Sequence, residues 1–300
     1  MKDLAACLFF LFLCVACPFA HAQTAAPKLV TWQDLMQLPM PAPGQKIAYG
    51  KDSLQFGELR LPQGKGPFPV VVVIHGGCWL AQYNYQYMNH LSAALTKAGY
   101  ATWNLEFRRV GNPGGGWPGT FLDVGQGVDF VKQLARQHPL NVKEVVVMGH
   151  SAGGHLALWT ATRQKLPKES PLYLKKPLKV KGVVALAGIA DLNAYATAPG
   201  SCNAAVPQLM GGLPDQFPDR YALGSPLGNL PLKVPVRLVQ GDKDPIVPVS
   251  QAQGIARFSS HKQYLVQEVI VPNAGHFDLV APTSPVWSTV EQAVKDVLRK

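Results

Sequence analysis

The sequence of 300 residues predicts an α/β fold, a mostly parallel central sheet flanked by helices. Two observations carry this. Residues 69–75 and 142–148, PVVVVIH and VKEVVVM, are rich in β-branched residues and lack sustained polar alternation, the pattern of strands buried on both faces. Stretches of helical spacing separate such runs, and strands joined by crossover helices pair in parallel.

Residues 1–22 read as a signal peptide. Lys2 supplies a thin positive start, residues 4–19 are an apolar run, and Ala20-His21-Ala22 is an A-x-A cleavage site. Pro18 and the polar segment from Gln23 onward favour cleavage over a permanent membrane anchor. A lipoprotein reading through Cys17 ranks lower, because Cys14 stands where such sites prefer Leu. The expected destination is secreted or periplasmic.

Residues 23–300 are expected to form a single domain. Residues 23–45 hold four prolines and read as an arm over the fold, with a short helix at 32–37. Strands are expected at 46–49, 54–61 and 69–75, then a helix at 87–98 with Met88, Leu91, Leu95 and Ala98 on one side. A strand at 101–107 precedes a helix at 121–136, where Val124, Val128, Val131 and Leu134 keep helical spacing. The strand at 142–148, a helix at 154–164 and a strand at 180–187 continue the alternation. Residues 192–235, rich in Ala, Gly and Pro, break the rhythm and read as a small cap-like insertion over the carboxyl edge of the sheet, where ligands bind in such folds. A strand at 236–240, a helix at 249–258, a strand at 264–271 and a helix at 287–298 close the chain.

Composition narrows the function. Lys and Arg number 28 against 18 Asp and Glu, a net charge of +10, but the charge is scattered and no long basic block suggests nucleic acid. Of five cysteines, Cys7, Cys14 and Cys17 leave with the signal. Cys78 and Cys202 remain, and spacing leaves open whether they pair or stay as separate buried thiols. No C-x-x-C or Cys/His cluster suggests a metal.

The strongest chemical signal is Gly149-His150-Ser151-Ala152-Gly153, between a buried strand and an apolar helix. Small residues on both sides suit a nucleophile held on a strained, tightly packed turn. A serine hydroxyl needs a base. His276, in NAGHF beyond a late strand, is the best candidate among the histidines. The base needs a carboxylate, and GDKDPIVP offers Asp244, with Asp242 as the fallback. His75-Gly76-Gly77-Cys78-Trp79 follows the strand at 69–75, and paired glycines let backbone N–H groups face an oxyanion. The expected donors are Gly77 or Cys78 together with Ala152. Trp79, Tyr83, Tyr85, Tyr87 and Trp117 fall in segments expected to border a pocket, and Trp79 and Trp117 are the candidate substrate contacts. Arg108, Arg109 and Asp123 are expected to form a structural ion pair.

Together, IHGGCW, GHSAGG, GDKDPIVP and NAGHF resemble the α/β-hydrolase superfamily across essentially all of residues 23–300. HGG followed closely by an aromatic residue looks most like the branch of kynurenine formamidases, feruloyl and acetyl-xylan esterases, and hormone-sensitive-lipase-like carboxylesterases. The resemblance implies an acyl-enzyme on Ser151, a Ser151–Asp244–His276 triad, no metal and no organic cofactor. Cys78 departs from the lipase pattern HGGG. The implied partner is a small-molecule ester, or an amide in an arylformamidase or peptidase. A non-catalytic binding protein on the same scaffold would usually have lost a triad residue, and none is missing here.

Overall fold

The computed structural model describes residues 28–198, 200, 202–230, 232–259 and 265–299. The expected signal peptide lies outside the described residues.

The chain opens with α1 (Trp32–Met36). Thr31 caps it, accepting the N–H of Asp34 while Asp34 accepts the N–H of Thr31, a reciprocal arrangement that satisfies donors at both positions. Then follow β1 (Gln45–Ala48), β2 (Phe56–Arg60), β3 (Phe68–Ile74), α2 (Asn89–Lys97) and β4 (Ala101–Leu105). The middle of the chain gives α3 (Gly119–Asp129), α4 (Val131–Leu134), β5 (Leu140–His150), α5 (Ala152–Thr160) and β6 (Gly182–Leu186). The insertion holds α6 (Leu192–Thr197), α7 (Ala205–Met210) and α8 (Pro218–Gly224). The last elements are β7 (Val236–Gly241), α9 (Ser250–Ser259), β8 (Val266–Val271) and α10 (Trp287–Arg299).

The eight strands form one sheet in the order β1-β2-β4-β3-β5-β6-β7-β8. β1 and β2, and β2 and β4, pair antiparallel; every other pair is parallel, as the sequence predicts. Val70 to Ile74 and Val145 to Met148 are fully buried, so the apolar runs do fill the middle of the sheet. β5 starts at Leu140, earlier than expected, because a register shift between Pro69 and Val70 lets Phe68 and Pro69 pair with Leu140 and Asn141. The expected helix over 121–136 is two helices broken at Phe130, and α5 starts at Ala152 rather than 154. The core against the helices is apolar: Leu91, Leu95, Val124, Val128, Leu156, Val290, Val294 and Val297 are all buried completely.

Parallel strands end on a common edge, so the loops after β3, β5, β7 and β8 converge. Those loops carry Gly77 and Cys78, Ser151, Asp244, and His276 respectively.

Candidate active site

Ser151 lies at the junction of β5 and α5 with φ 56° and ψ −123°. A non-glycine residue in that region costs about 1–3 kcal/mol and persists only where the surroundings impose it. Here they do. The Ser151 N–H donates to Leu186 O of β6 at 2.8 Å, and Ser151 O accepts the His155 N–H at 3.0 Å, the first turn of α5. A side chain on Gly149 would run into the backbone of Gly153, and one on Gly153 into the backbone at Ile74 and His75. Both glycines are therefore required by close approach of the backbone. Ser151 is only 3% exposed but lines a cavity of about 420 Å³.

His276, 5% exposed, lines the same cavity. Its Nδ1 is 2.7 Å from Asp244 Oδ2. Asp244 is held in turn: its Oδ1 accepts the N–H groups of Ile246 (2.8 Å) and Val247 (2.9 Å), and its Oδ2 accepts Gln240 Nε2 (3.1 Å). Burial by itself raises the Asp244 pKa. The hydrogen bond and charge of His276 and the two backbone donors outweigh it, so the carboxyl lies below its ordinary value and stays ionised. Asp242 is exposed and pairs with Lys243 at 3.6 Å. Of the two carboxylates, Asp244 is the one brought to His276.

Gly77, Cys78 and Trp79 all have positive φ (96°, 52° and 58°), a run that turns the loop after β3 sharply back on itself. Gly77 and Cys78 line the cavity beside Ser151. Ala152 opens α5, so its N–H is among the first four of the helix that have no intrahelical acceptor. The two candidate donors Gly77 and Cys78 thus sit side by side on one loop, next to the turn from which α5 starts.

Cys78 and Cys202 are joined by a disulfide with Cα atoms 5.3 Å apart. The bond ties the loop after β3 to the insertion, and both cysteines form part of the cavity wall.

The two tryptophans expected to touch substrate do not line the cavity. Trp79 is 1% exposed, and its Nε1 donates to His155 Nδ1 at 3.2 Å. The positive-φ run swings its indole inward under the loop. Trp117 packs edge-on against Phe121, ring centroids 5.4 Å apart, and its backbone N–H donates to Leu209 O. Tyr85 packs on Phe56 instead of facing the cavity. Tyr83 and Tyr87 do line it, joined by Trp32, Leu80, Ile246 and Phe277. Trp32 lies on the short helix expected at 32–37, but nothing in the proline-rich arm directs that helix to the cavity. The expected ion pair is also redistributed. Arg108 pairs with the buried Asp123 at 2.6 Å, whereas Arg109 pairs with Glu106 at 2.6 Å, beneath His75.

A second set of hydrogen bonds joins the loops around the elbow. The Gly76 N–H donates to Tyr87 Oη (2.5 Å), leaving the phenol proton for His150 Nδ1 (3.0 Å). His150 Nε2 then donates to His276 O at 3.0 Å. Burial, reinforced by the nearby His276, drives the His150 pKa well below its ordinary value, so the ring is neutral and this tautomer is set by its partners. Among the described residues, no group of three or more His, Cys, Asp or Glu could hold a metal ion. Nor is any helix among them long and apolar enough to cross a membrane.

Known proteins resemble this chain in both sequence and fold. The family model described as BD-FAE matches residues 58–258. Esterase LipC of Mycobacterium tuberculosis is 24% identical over 272 residues, covering 85% of this chain and 65% of that protein. The probable carboxylic ester hydrolase LipM of the same organism is 25% identical over 244 residues, covering 77% and 55%. The chain thus spans 55–65% of the length of these curated relatives. The structure of a truncated carbohydrate esterase from gut microbiota superposes with a TM-score of 0.71 at 21% identity, covering 86% of this chain and 97% of that one, which bears on the fold alone. The chain belongs to the BD-FAE family and has the α/β-hydrolase fold.

Proposed function

We propose that this protein is a serine hydrolase that cleaves small-molecule carboxylic esters through an acyl-enzyme on Ser151. The observation that carries the reading is the 2.7 Å Asp244–His276 contact at the cavity that Ser151 lines from its strained turn. The names of the relatives, an esterase and a probable carboxylic ester hydrolase, support it.

Ser151 Oγ attacks the ester carbonyl while His276 Nε2 takes its proton, and Asp244 keeps the His276 proton on Nδ1 and stabilises the imidazolium. Backbone N–H groups of Gly77 or Cys78 and of Ala152 stabilise the tetrahedral oxyanion. His276 returns the proton to the departing alcohol. Water, activated by the same histidine, then releases the acid and restores Ser151. No cofactor enters these steps.

We propose further that the chain is exported and cleaved after Ala22, to act in a periplasmic or extracellular compartment. The Cys78–Cys202 bond, a linkage typical of oxidising compartments, supports this.

The test is turnover of para-nitrophenyl esters of rising acyl length beside an aryl formamide, with Ser151→Ala as control. The expected result is ester turnover that falls at least about 10³-fold in the variant. Undiminished turnover in Ser151→Ala would refute the assignment of the nucleophile. Formamide turnover without ester turnover would move the reaction to amide cleavage.

A further inference from the structure

Trp32 reaches the cavity from an arm that precedes the family-matched residues 58–258. Its indole packs against three rings that also line the cavity. The centroid separations are 5.7 Å to Tyr83, 5.3 Å to Tyr87 and 5.6 Å to Phe277, at interplanar angles of 84°, 62° and 57°. These are edge-to-face or tilted pairs, and Trp32, Tyr83 and Phe277 are each only half-buried where they line the cavity.

The arm is fastened to the loop that carries His276. Asp278, buried and two residues beyond the histidine, accepts the N–H of Val30 at 3.2 Å and the N–H of Gly275 at 2.9 Å on the same oxygen. Its other oxygen accepts the Ser284 hydroxyl at 3.1 Å. Leu29 lies against Gly275, where a side chain on the glycine would come within 3.3 Å of it. Leu35, on the face of α1 that turns inward, is 1% exposed. One carboxylate therefore holds both the arm and the base loop, and the Thr31/Asp34 cap fixes the start of the helix bearing Trp32.

We infer that Trp32 is a specificity-determining residue: with Tyr83 and Phe277 it forms a fixed aromatic wall that seats a planar ring of the substrate beside Ser151. This rests on the ester-hydrolase reading above. The fastening at Asp278 keeps the wall in register with His276, so a ring bound there leaves the reacting carbonyl next to Ser151.

The experiment compares two pairs of esters in wild type, Trp32→Ala and Trp32→Phe. Methyl 3-phenylpropionate against methyl propionate places the ring in the acyl part; phenyl acetate against methyl acetate places it in the alcohol part. In at least one pair, Trp32→Ala is expected to lower the ring-over-methyl ratio of kcat/KM by about tenfold, carried mainly in KM, the scale of losing one aromatic partner and its buried area. Trp32→Phe is expected to restore most of the ratio. A ratio unchanged in both pairs, or a Trp32→Phe variant as impaired as Trp32→Ala, would overturn the inference.

Two further readouts separate this from the reaction itself. Calorimetric binding of 3-phenylpropionate and of phenol to Ser151→Ala, with and without Trp32→Ala, reads the wall without turnover. Loss of binding on removing Trp32 supports the inference, and equal binding of both ligands opposes it. Labelling of wild type at Ser151 by a small fluorophosphonate reads the nucleophile alone. Failure of that labelling would count against the hydrolase reading and leave the calorimetric result to decide on Trp32.

Discussion

Replacing Asp244 by Asn tests the site more sharply than removing it. The change keeps size and shape, so its effect comes from hydrogen-bond direction and the lost charge. Oδ1 accepts the N–H groups of Ile246 and Val247 at 2.8 and 2.9 Å, and an amide NH₂ turned that way would face two donors. The Asn oxygen therefore takes the Oδ1 position with its two backbone donors, and the NH₂ takes the Oδ2 position, where it meets Gln240 Nε2 and lies 2.7 Å from His276 Nδ1. To accept that N–H, His276 must give up its proton at Nδ1 and carry one at Nε2, where it can no longer take a proton from Ser151. A wrong tautomer of this kind costs about 10⁴-fold in kcat, roughly 5 kcal/mol of barrier, as known for a serine-protease triad. Steady-state hydrolysis of a para-nitrophenyl ester near neutral pH reads this, with KM nearly unchanged because ground-state contacts survive. Asp242→Asn, at an exposed position whose partner is Lys243 3.6 Å away, is expected to keep kcat within about twofold. Stability gives a second readout. The folded-state pKa of Asp244 is depressed, so the ionised carboxylate's contribution is complete above the unfolded value of about 4 and is lost as pH falls through the folded one. The stability gap between wild type and Asp244→Asn should thus hold above about pH 4 and narrow below it. A variant retaining a tenth or more of wild-type kcat, or a larger loss in Asp242→Asn, would refute the assignment.

The packing dictates three further outcomes. Cys78→Ser combined with Cys202→Ser releases a crosslink spanning 124 positions and should lower unfolding free energy by about 2–4 kcal/mol in reversible urea denaturation; an unchanged midpoint would contradict it. Asp123→Ala leaves the Arg108 guanidinium and the Gln55 amide facing a buried void, and about 3 kcal/mol should be lost, measured in the same way. His155 is buried, accepts Trp79 Nε1 and donates to Gly224 O, and burial lowers its pKa to about 4. As pH falls through 6.5 the unfolded chain takes up the proton first, so about 3 kcal/mol of stability is lost between pH 6.5 and 4. In His155→Gln the stability-versus-pH curve should be shallower over that window, and equal slopes would show that another group carries the dependence.

What could be read from the sequence is what local chemistry dictates. β-branched runs name the central strands because nothing else satisfies a segment buried on both faces. The turn at Ser151 is legible because only small neighbours fit between β5, β3 and α5, and Gly149 and Gly153 show that constraint directly. Asp244 could be preferred over Asp242 by its setting before Pro245 and Val247-Pro248, and the hydrogen bonds from Ile246 and Val247 show why that setting shapes a carboxylate cradle. The cavity wall was not legible. Whether an aromatic ring faces a ligand depends on how its loop turns, and three successive positive-φ residues send Trp79 inward to His155. Trp32 stands in a segment whose prolines hide any period, and its place is set by Asp278, far along the chain. The pairing of Cys78 with Cys202 likewise needed the insertion to fold back over the sheet edge before 5.3 Å between Cα atoms was possible.

His150 shows why the residue before Ser151 is a buried polar ring where an aliphatic side chain would pack as well. Four segments must meet at the elbow: the loop after β3 at Gly76, the 3₁₀ turn Tyr85–Met88, the end of β5, and the loop bearing His276. An aliphatic residue could fill the space but could give no direction to Gly76 or to the His276 carbonyl. A neutral imidazole does both, accepting from Tyr87 on one side and donating to His276 O on the other. A protonated ring would leave the Tyr87 hydroxyl with two donors and no acceptor, and would set a positive charge 4.4 Å, ring to ring, from His276. Burial forbids that state, which the depressed pKa of His150 expresses. The same desolvation that makes the ring costly to charge therefore keeps it neutral while Tyr87 and the His276 carbonyl fix its tautomer, and the turn at Ser151, the loop after β3 and the loop bearing His276 are held in a common geometry.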